Sequence, residues 1–91
     1  MEDHMTYRET SLLLLLRQRH PELSTTGLIK RRMELPRKTV RSLLLRLFVL
    51  GYAARRHVVC ERIESWHLTS EGRAKADEIR SLVAAKFEAV V

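Results

Sequence analysis

Residues 35–52 contain one helical pattern with two different faces, and this pattern limits how the rest of the chain can fold. Its apolar residues recur at the spacing of a single helical face, so we expect them to point into a core. They are Val40, Leu43, Leu44 and Leu47. The residues on the opposite face, near the start, are Arg37, Lys38, Arg41 and Ser42. The pattern predicts a helix over 36–50 that packs on one side and presents positive charge on the other.

Both ends of this helix are marked in the sequence. Pro36 suits the first helical turn, because an N–H group there has no intrahelical partner and the proline backbone angle is already helical. Gly51 suits the position after the last turn, because a left-handed residue closes many helices. The helix is therefore expected to end near residue 50.

Positive charge is concentrated around this helix. The chain has a net charge of +6, and residues 30–62 alone carry +8, from ten basic and two acidic residues. The remaining residues carry a net charge of −2. A basic block confined to one third of a chain indicates a nucleic-acid interface more than a general effect on solubility.

Two shorter helices are expected before the basic helix. Thr6 and Glu9 have the spacing of a capping box, which predicts a first helix over 6–19. Pro21 ends that helix, since the residue before a proline disfavours helical angles. A second helix is expected over 24–33, with Ser24 or Thr25 as its N-cap.

After Gly51 the pattern alternates, which predicts a β-hairpin over 52–68 that turns around residues 59–61. The segment 69–72 caps a last helix over 70–89. Trp66 alternates with Leu68, so we expect the indole ring in the core rather than at a binding surface. With 45% apolar residues, three Gly and two Pro, residues 1–91 are expected to form one domain, mainly α with a small β-hairpin.

The chain has more apolar residues than one small core can bury. In the first helix we expect Leu12, Leu15 and Leu16 to fill the core, which leaves the neighbouring leucines for a second surface. The last helix would be roughly 30 Å long and carries an apolar stripe. We therefore predict a homodimer in which these surplus residues form the interface: Leu13, Leu14, Ala76, Ile79, Leu82, Val83, Phe87 and Val90.

Three segments, in this order, resemble a winged helix-turn-helix domain of the MarR or PadR kind. They are residues 35–40 at the start of the third helix, residues 47–52 at its end, and residues 66–73 at the end of the hairpin. The resemblance covers about residues 6–73 and implies a three-helix core, a two-stranded wing and a long C-terminal helix. Because there is room for only one helix after the wing, the layout also resembles the small winged-helix regulators of viruses, phages and plasmids, and a small-molecule effector is not expected.

The resemblance implies a sequence-specific regulator of transcription that binds double-stranded DNA as a homodimer. The family places its recognition helix in the major groove and its wing at the minor groove. The implied groove contacts come from Arg37, Lys38, Thr39, Arg41 and Ser42, and the implied wing contacts from Arg55, Arg56 and Arg62. The implied contacts to the DNA backbone come from Lys30, Arg31 and Arg32. A protein-interaction module in a larger assembly, and a protein that binds double-stranded RNA or non-B DNA by shape, remain alternatives.

The sequence contains no pattern typical of catalysis. It has no nucleophile beside a base, no paired carboxylates and no glycine-rich phosphate loop, so we expect neither enzymatic activity nor a cofactor. The spacing of His57, Cys60 and His67 matches no zinc pattern, and no metal site is expected. Cys60 is the only cysteine. An inert thiol, an intermolecular disulfide and a redox switch all remain open for it.

The leucine-rich run at residues 12–16 is too short to cross a bilayer. Basic residues on both sides make it a poor signal-peptide core as well. We therefore expect a soluble, cytoplasmic protein with no membrane partner.

Overall fold

The computed structural model describes residues 5–58 and 63–90, and at residues 57, 58, 63 and 87–90 it describes the backbone alone. The described residues fold into four helices and a small antiparallel sheet. The elements in chain order are α1 (Tyr7–Arg19), β1 (Ser24–Thr25), α2 (Thr26–Met33), α3 (Arg37–Val49), β2 (Ala53–Val58), β3 (Ile63–Leu68) and α4 (Ser70–Val90). This order confirms the predicted fold class, a helical core with a β-hairpin wing.

The predicted capping box begins α1. The N–H of Glu9 donates to Thr6 Oγ1 at 3.2 Å, and Glu9 Oε1 accepts from the N–H of Thr6 at 3.0 Å. The Glu9 carboxylate is buried, and its other oxygen lies 3.5 Å from Arg46 Nε of α3. A local cap therefore also ties the first helix to the third.

The second helix begins later than the sequence predicts. Thr25 is its N-cap, with Oγ1 accepting from the N–H of Leu28 at 3.1 Å. Ser24 and Thr25 form the strand β1, in which Ser24 pairs with Trp66 of β3. The expectation that Ser24 belongs to the helix is wrong, because its backbone is used in the sheet.

Both ends of α3 are defined by the residues that the sequence marks. Pro36 is the N-cap, with an extended ψ of 147°, so it lies just before the first turn rather than in it. Gly51 has a φ of 84°. The N–H of Gly51 donates to the Phe48 carbonyl oxygen at 3.0 Å, and the N–H of Tyr52 donates to the Leu47 carbonyl oxygen at 2.9 Å. These bonds are the Schellman ending that a left-handed glycine allows.

The sheet has the strand order β1-β3-β2, and every pair is antiparallel. In the wing, Arg55 lies opposite Trp66, and Arg56 lies opposite Ser65. Directly opposed residues share a face of an antiparallel pair, so Arg55 and Arg56 belong to opposite faces. The turn predicted at residues 59–61 lies outside the described residues.

One core joins the helices to the sheet. Its buried apolar side chains are Leu12, Leu13, Leu16, Ile29, Val40, Leu44, Leu47, Tyr52, Ala53, Trp66, Leu68 and Ala76. Trp66 is fully buried, as its alternation with Leu68 predicts. Leu43 and Leu15 are only partly buried at the edge of the core.

Two predictions for the dimer interface are wrong. Leu13 and Ala76 are 0% exposed within the single chain, so neither offers surface to a partner. The helix α1 packs against both α3 and α4, and this widens its buried stripe beyond the one face expected from the sequence. Leu14 and Ile79 are partly buried against the same core.

The helix α4 extends past the body of the domain. An ion pair between Arg17 Nε and Asp77 Oδ1, at 2.9 Å, attaches its first half to α1. Residues 80–86 are all exposed, and they include Leu82 and Val83. The side chains of Phe87 and Val90, also predicted at the interface, lie outside the described part of the chain.

No helix in the described ranges is both long enough and apolar enough to cross a membrane.

Candidate nucleic-acid interface

The outward face of α3 carries the basic residues that the sequence singles out. Val40, Leu44 and Leu47 fix one face of the helix in the core. Arg37 and Arg41 are exposed at the edge of this face, since they lie three residues before Val40 and Leu44. Lys38 and Ser42 are exposed on the far side, while Thr39 is half-buried. The first two turns of α3 thus form a positively charged surface.

The wing lies beside this surface. Arg55 and Arg56 of β2 are both exposed, but they leave the strand on opposite faces. The Arg55 guanidinium is directed toward α3, where its carbon lies 6.0 Å from the centre of the Phe48 ring. Arg56 has no hydrogen-bond or ion-pair partner among the described residues. Arg62 and Cys60, predicted at the end of the wing, lie outside the described residues.

A single carboxylate links α3 to the wing. Glu64 of β3 accepts from Arg41 Nη1 of α3 at 2.5 Å through Oε2, and from Arg55 Nη1 of β2 at 3.3 Å through Oε1. Only 18% of the Glu64 side chain is exposed, against 48% for Arg41 and 42% for Arg55. The two guanidinium groups therefore meet at one point between α3 and the wing.

The basic residues of α2 are all exposed, but they do not form one cluster. Lys30, Arg31 and Arg32 are consecutive, so they point in directions about 100° apart. Arg32 lines a groove on the α1 side, together with Tyr7 and Leu15. The other end of α2 is near α3, because Arg37 Nη2 lies 3.9 Å from the position that a Cβ atom on Gly27 would take.

Glu64 is the functional candidate that the sequence did not single out. It lies two residues before Trp66 in an alternating strand, so the two share a face of the sheet. Because the core side of β3 begins at Trp66, Glu64 falls where that face leaves the core and meets α3. No local pattern identifies its role, because its partner Arg41 lies 23 residues earlier and only the fold brings the two together.

Within the described residues, no three His, Cys, Asp or Glu side chains lie close enough together to hold a metal ion. The candidate site is the surface where exposed arginines of α3 and the wing meet.

Comparison with known proteins identifies the fold. No protein-family model and no curated protein matches the sequence. Among solved structures, the chain is similar to Staphylococcus aureus MepR, a transcription regulator of the multidrug efflux pump MepA, with 20% identity over 94% of this chain and a TM-score of 0.87. A MepR variant has also been solved bound to an oligodeoxyribonucleotide.

Two further structures show the same similarity. Streptococcus pneumoniae FabT, solved in complex with DNA, has 20% identity over 94% of this chain and a TM-score of 0.81. A Lactococcus lactis ZitR variant has 17% identity over 98% of this chain and a TM-score of 0.83. The present chain spans 59–63% of the length of these three proteins, which are MarR-family winged-helix regulators. The chain therefore has a MarR-like winged helix-turn-helix fold.

Proposed function

We propose that the chain binds double-stranded DNA and regulates transcription as a homodimer, with α3 in the major groove and the wing at the minor groove. The observation that carries this proposal is the shared basic surface, in which Arg41 of α3 and Arg55 of the wing meet at Glu64. Arg37 and Lys38 are exposed in the first turn of the same helix. Such a surface matches the polyanionic backbone of a duplex. MepR and FabT, which have the same fold, have both been solved with DNA.

The two parts of the surface are expected to do different work. A bidentate arginine–guanine contact from the start of α3 distinguishes one base from another. An arginine of the wing faces a minor groove whose pattern is degenerate, so it contributes mainly through phosphate contacts. We assign base reading to Arg37 and backbone binding to Arg56, because both are exposed and neither has a partner among the described residues.

The test begins with selection of bound sites from a random duplex pool, which supplies the preferred site. Each variant is then titrated on that site and on a scrambled duplex, at several salt concentrations. Arg37→Ala is expected to lose roughly 1–3 kcal/mol on the preferred site and to relax preference at one base position. Arg56→Ala is expected to weaken both duplexes alike and to lower the slope of log affinity against log salt by about 0.9.

Arg8→Ala is the matched control, since Arg8 is also exposed but lies on α1. It should leave both titrations unchanged. If Arg37→Ala weakens the two duplexes equally while Arg56→Ala selectively loses the preferred site, the two roles are reversed. If the unsubstituted chain selects no site and binds no duplex, the proposal itself is wrong.

One observation favours the alternative, a protein-interaction module. The second half of α3 exposes Leu45, Phe48 and Val49, with exposed fractions of 39%, 47% and 74%. Adjoining apolar side chains on a surface can mark a protein contact. The salt titration separates the two functions, because duplex binding through phosphates weakens steeply with salt and an apolar contact does not.

A further inference from the structure

The carboxylate of Glu64 lies within the surface that we propose binds DNA, although it carries the same sign of charge as a phosphate. It contacts Arg41 at 2.5 Å and Arg55 at 3.3 Å. Ion pairs between partly exposed side chains contribute little to folding stability. Stability alone is therefore a weak physical reason for an acidic residue at this place.

The geometry gives Glu64 a different effect. With one carboxylate between them, the two guanidinium groups present a local charge of +1 rather than +2. Each guanidinium has five N–H donors, so Arg41 can still reach a base edge while one of its nitrogens remains on Glu64. The pairing also holds each arginine side chain in one position. A base contact therefore costs less side-chain entropy than it would with a freely rotating arginine.

Arg55 is held from two sides. Glu64 binds its guanidinium at one edge, and the Phe48 ring lies 6.0 Å from the guanidinium carbon. Phe48 belongs to α3, as does Arg41, so both contacts fix the wing strand against the recognition helix. The spacing between the two reading elements thus depends on the residues around Glu64.

We propose that Glu64 is a specificity-determining residue: it positions Arg41 and Arg55 for the correct site and lowers the attraction of their charges for any other duplex. This inference rests on the proposed DNA binding. A duplex of the wrong sequence gains only phosphate contacts from the two arginines, and those contacts compete with Glu64. A duplex of the right sequence gains base contacts from arginines that are already in place.

The experiment compares Glu64→Gln with the unsubstituted chain on the preferred site and on a scrambled duplex, across a range of salt concentrations. Gln keeps the size of the side chain and removes its charge. The scrambled duplex is expected to bind more tightly, with a salt slope steeper by about 0.9 for each arginine released. The ratio of specific to non-specific affinity is expected to fall about fivefold or more.

Two other variants separate charge from position. Glu64→Asp keeps the charge but is one methylene shorter, so it cannot hold both arginines as Glu64 does. We expect its affinity ratio to fall while its salt slope steepens less than that of Glu64→Gln, because the negative charge that competes with phosphate remains. Glu22→Gln removes the same charge from an exposed residue after α1, where Glu22 pairs with Arg19, and should change neither quantity.

Thermal melting of each variant checks that the fold is intact. An unchanged ratio of specific to non-specific affinity in Glu64→Gln would overturn the inference. A second result would also overturn it: relaxed preference at one base position with no tighter binding to the scrambled duplex. That result would mean that Glu64 itself contacts a base. If Glu64→Gln proves unfolded, an unchanged ratio in Glu64→Asp overturns it equally. If the unsubstituted chain binds no duplex, the proposed function fails first, and the inference fails with it.

Discussion

Gly72 is the residue at which the backbone leaves least room. A Cβ atom built there would lie 2.0 Å from the carbonyl oxygen of Tyr52 and 2.9 Å from its carbonyl carbon. The same junction contains Thr69, whose N–H donates to the Tyr52 carbonyl oxygen at 3.0 Å and whose hydroxyl donates to the Gly51 carbonyl oxygen at 2.6 Å. The end of α3 and the start of α4 are thus joined through their backbones.

We therefore expect Gly72→Ala to destabilise the fold by about 1–3 kcal/mol or more, because backbone rather than a flexible side chain must move to make room. Gly27→Ala is the matched control, since its added methyl group would have no neighbour closer than 3.9 Å. That variant should be neutral or stabilise by up to about 1 kcal/mol, because alanine lowers the entropy of the unfolded chain. Urea denaturation measures both, and equal midpoints would contradict the role given to Gly72.

The cap at Thr69 could be predicted from sequence, and the constraint on Gly72 could not. The N–H of Gly72 donates to Thr69 Oγ1 at 3.0 Å, a bond between residues three apart that local spacing reveals. The clash with Tyr52 involves a residue twenty positions earlier, and only the assembled fold brings it close. Glu64 was missed for the same reason, since its partner on α3 is 23 residues away.

At the scale of elements, β3 connects the wing to the core. It is the central strand, paired with both β1 and β2, and its Trp66 is fully buried. The indole Nε1 has no hydrogen-bond partner within the described residues. Since the ring is fully buried, packing is its main contribution to stability.

Trp66→Ala is expected to lower the free energy of unfolding by about 3–5 kcal/mol, because the cavity in the core would be large. Trp66→Phe should cost clearly less, since it leaves a smaller cavity. Urea denaturation gives both values. An intact stability in Trp66→Ala combined with lost DNA binding would instead place the ring at the interface.

The longer elements follow from periodicity, but β1 does not. The apolar spacing of α3 and the alternation of β3 each extend over several residues, which is enough to define a face. The strand β1 has two residues, Ser24 and Thr25, whose pairing partners lie about forty positions later in β3. Two residues define no period, so the sequence predicts only the helix cap, which Thr25 forms, and not the strand.

The choice of buried leucines in α1 was right for Leu12 and Leu16, but it placed Leu15 in the core instead of Leu13, for a related reason. Five consecutive leucines cover more than one face of a helix, and the sequence does not show how many neighbours the helix has. In the structure, α1 contacts both α3 and α4, and Leu12, Leu13 and Leu16 are buried. The apolar surface that α1 leaves for a partner chain is therefore smaller than expected.

At the scale of the whole molecule, the shape is elongated, with extents of 50 × 26 × 25 Å. The helix α4 has 21 residues and is roughly 30 Å long, while its last buried side chain in the described part is Ala76. Beyond that point Leu82 and Val83 are 57% and 47% exposed. A two-fold dimer would bury Leu82 and Val83 of both chains at one interface. A small domain gains stability when a partner covers apolar surface in this way.

We predict that Leu82→Glu and Val83→Glu each convert a homodimer into monomers in sedimentation experiments. Burial of such a side chain contributes about 1.5–3 kcal/mol to the free energy of association. In a two-fold dimer each substitution occurs once in each chain, so the interface loses this contribution twice. These positions are better probes than Ile79, which packs against the core of its own chain, so that a charge there would also disturb the fold.

Ser81→Glu is the control, because Ser81 is exposed on the same part of α4 but is not apolar. It should leave the sedimentation coefficient unchanged. The melting temperature supplies a second measurement, since a dimer melts at higher temperature when the chain is more concentrated and a monomer does not. The prediction is contradicted if the unsubstituted chain sediments as a monomer at micromolar concentration and its melting temperature is independent of concentration. In that case α4 does not form a dimer interface, and two-fold recognition of DNA cannot depend on α4.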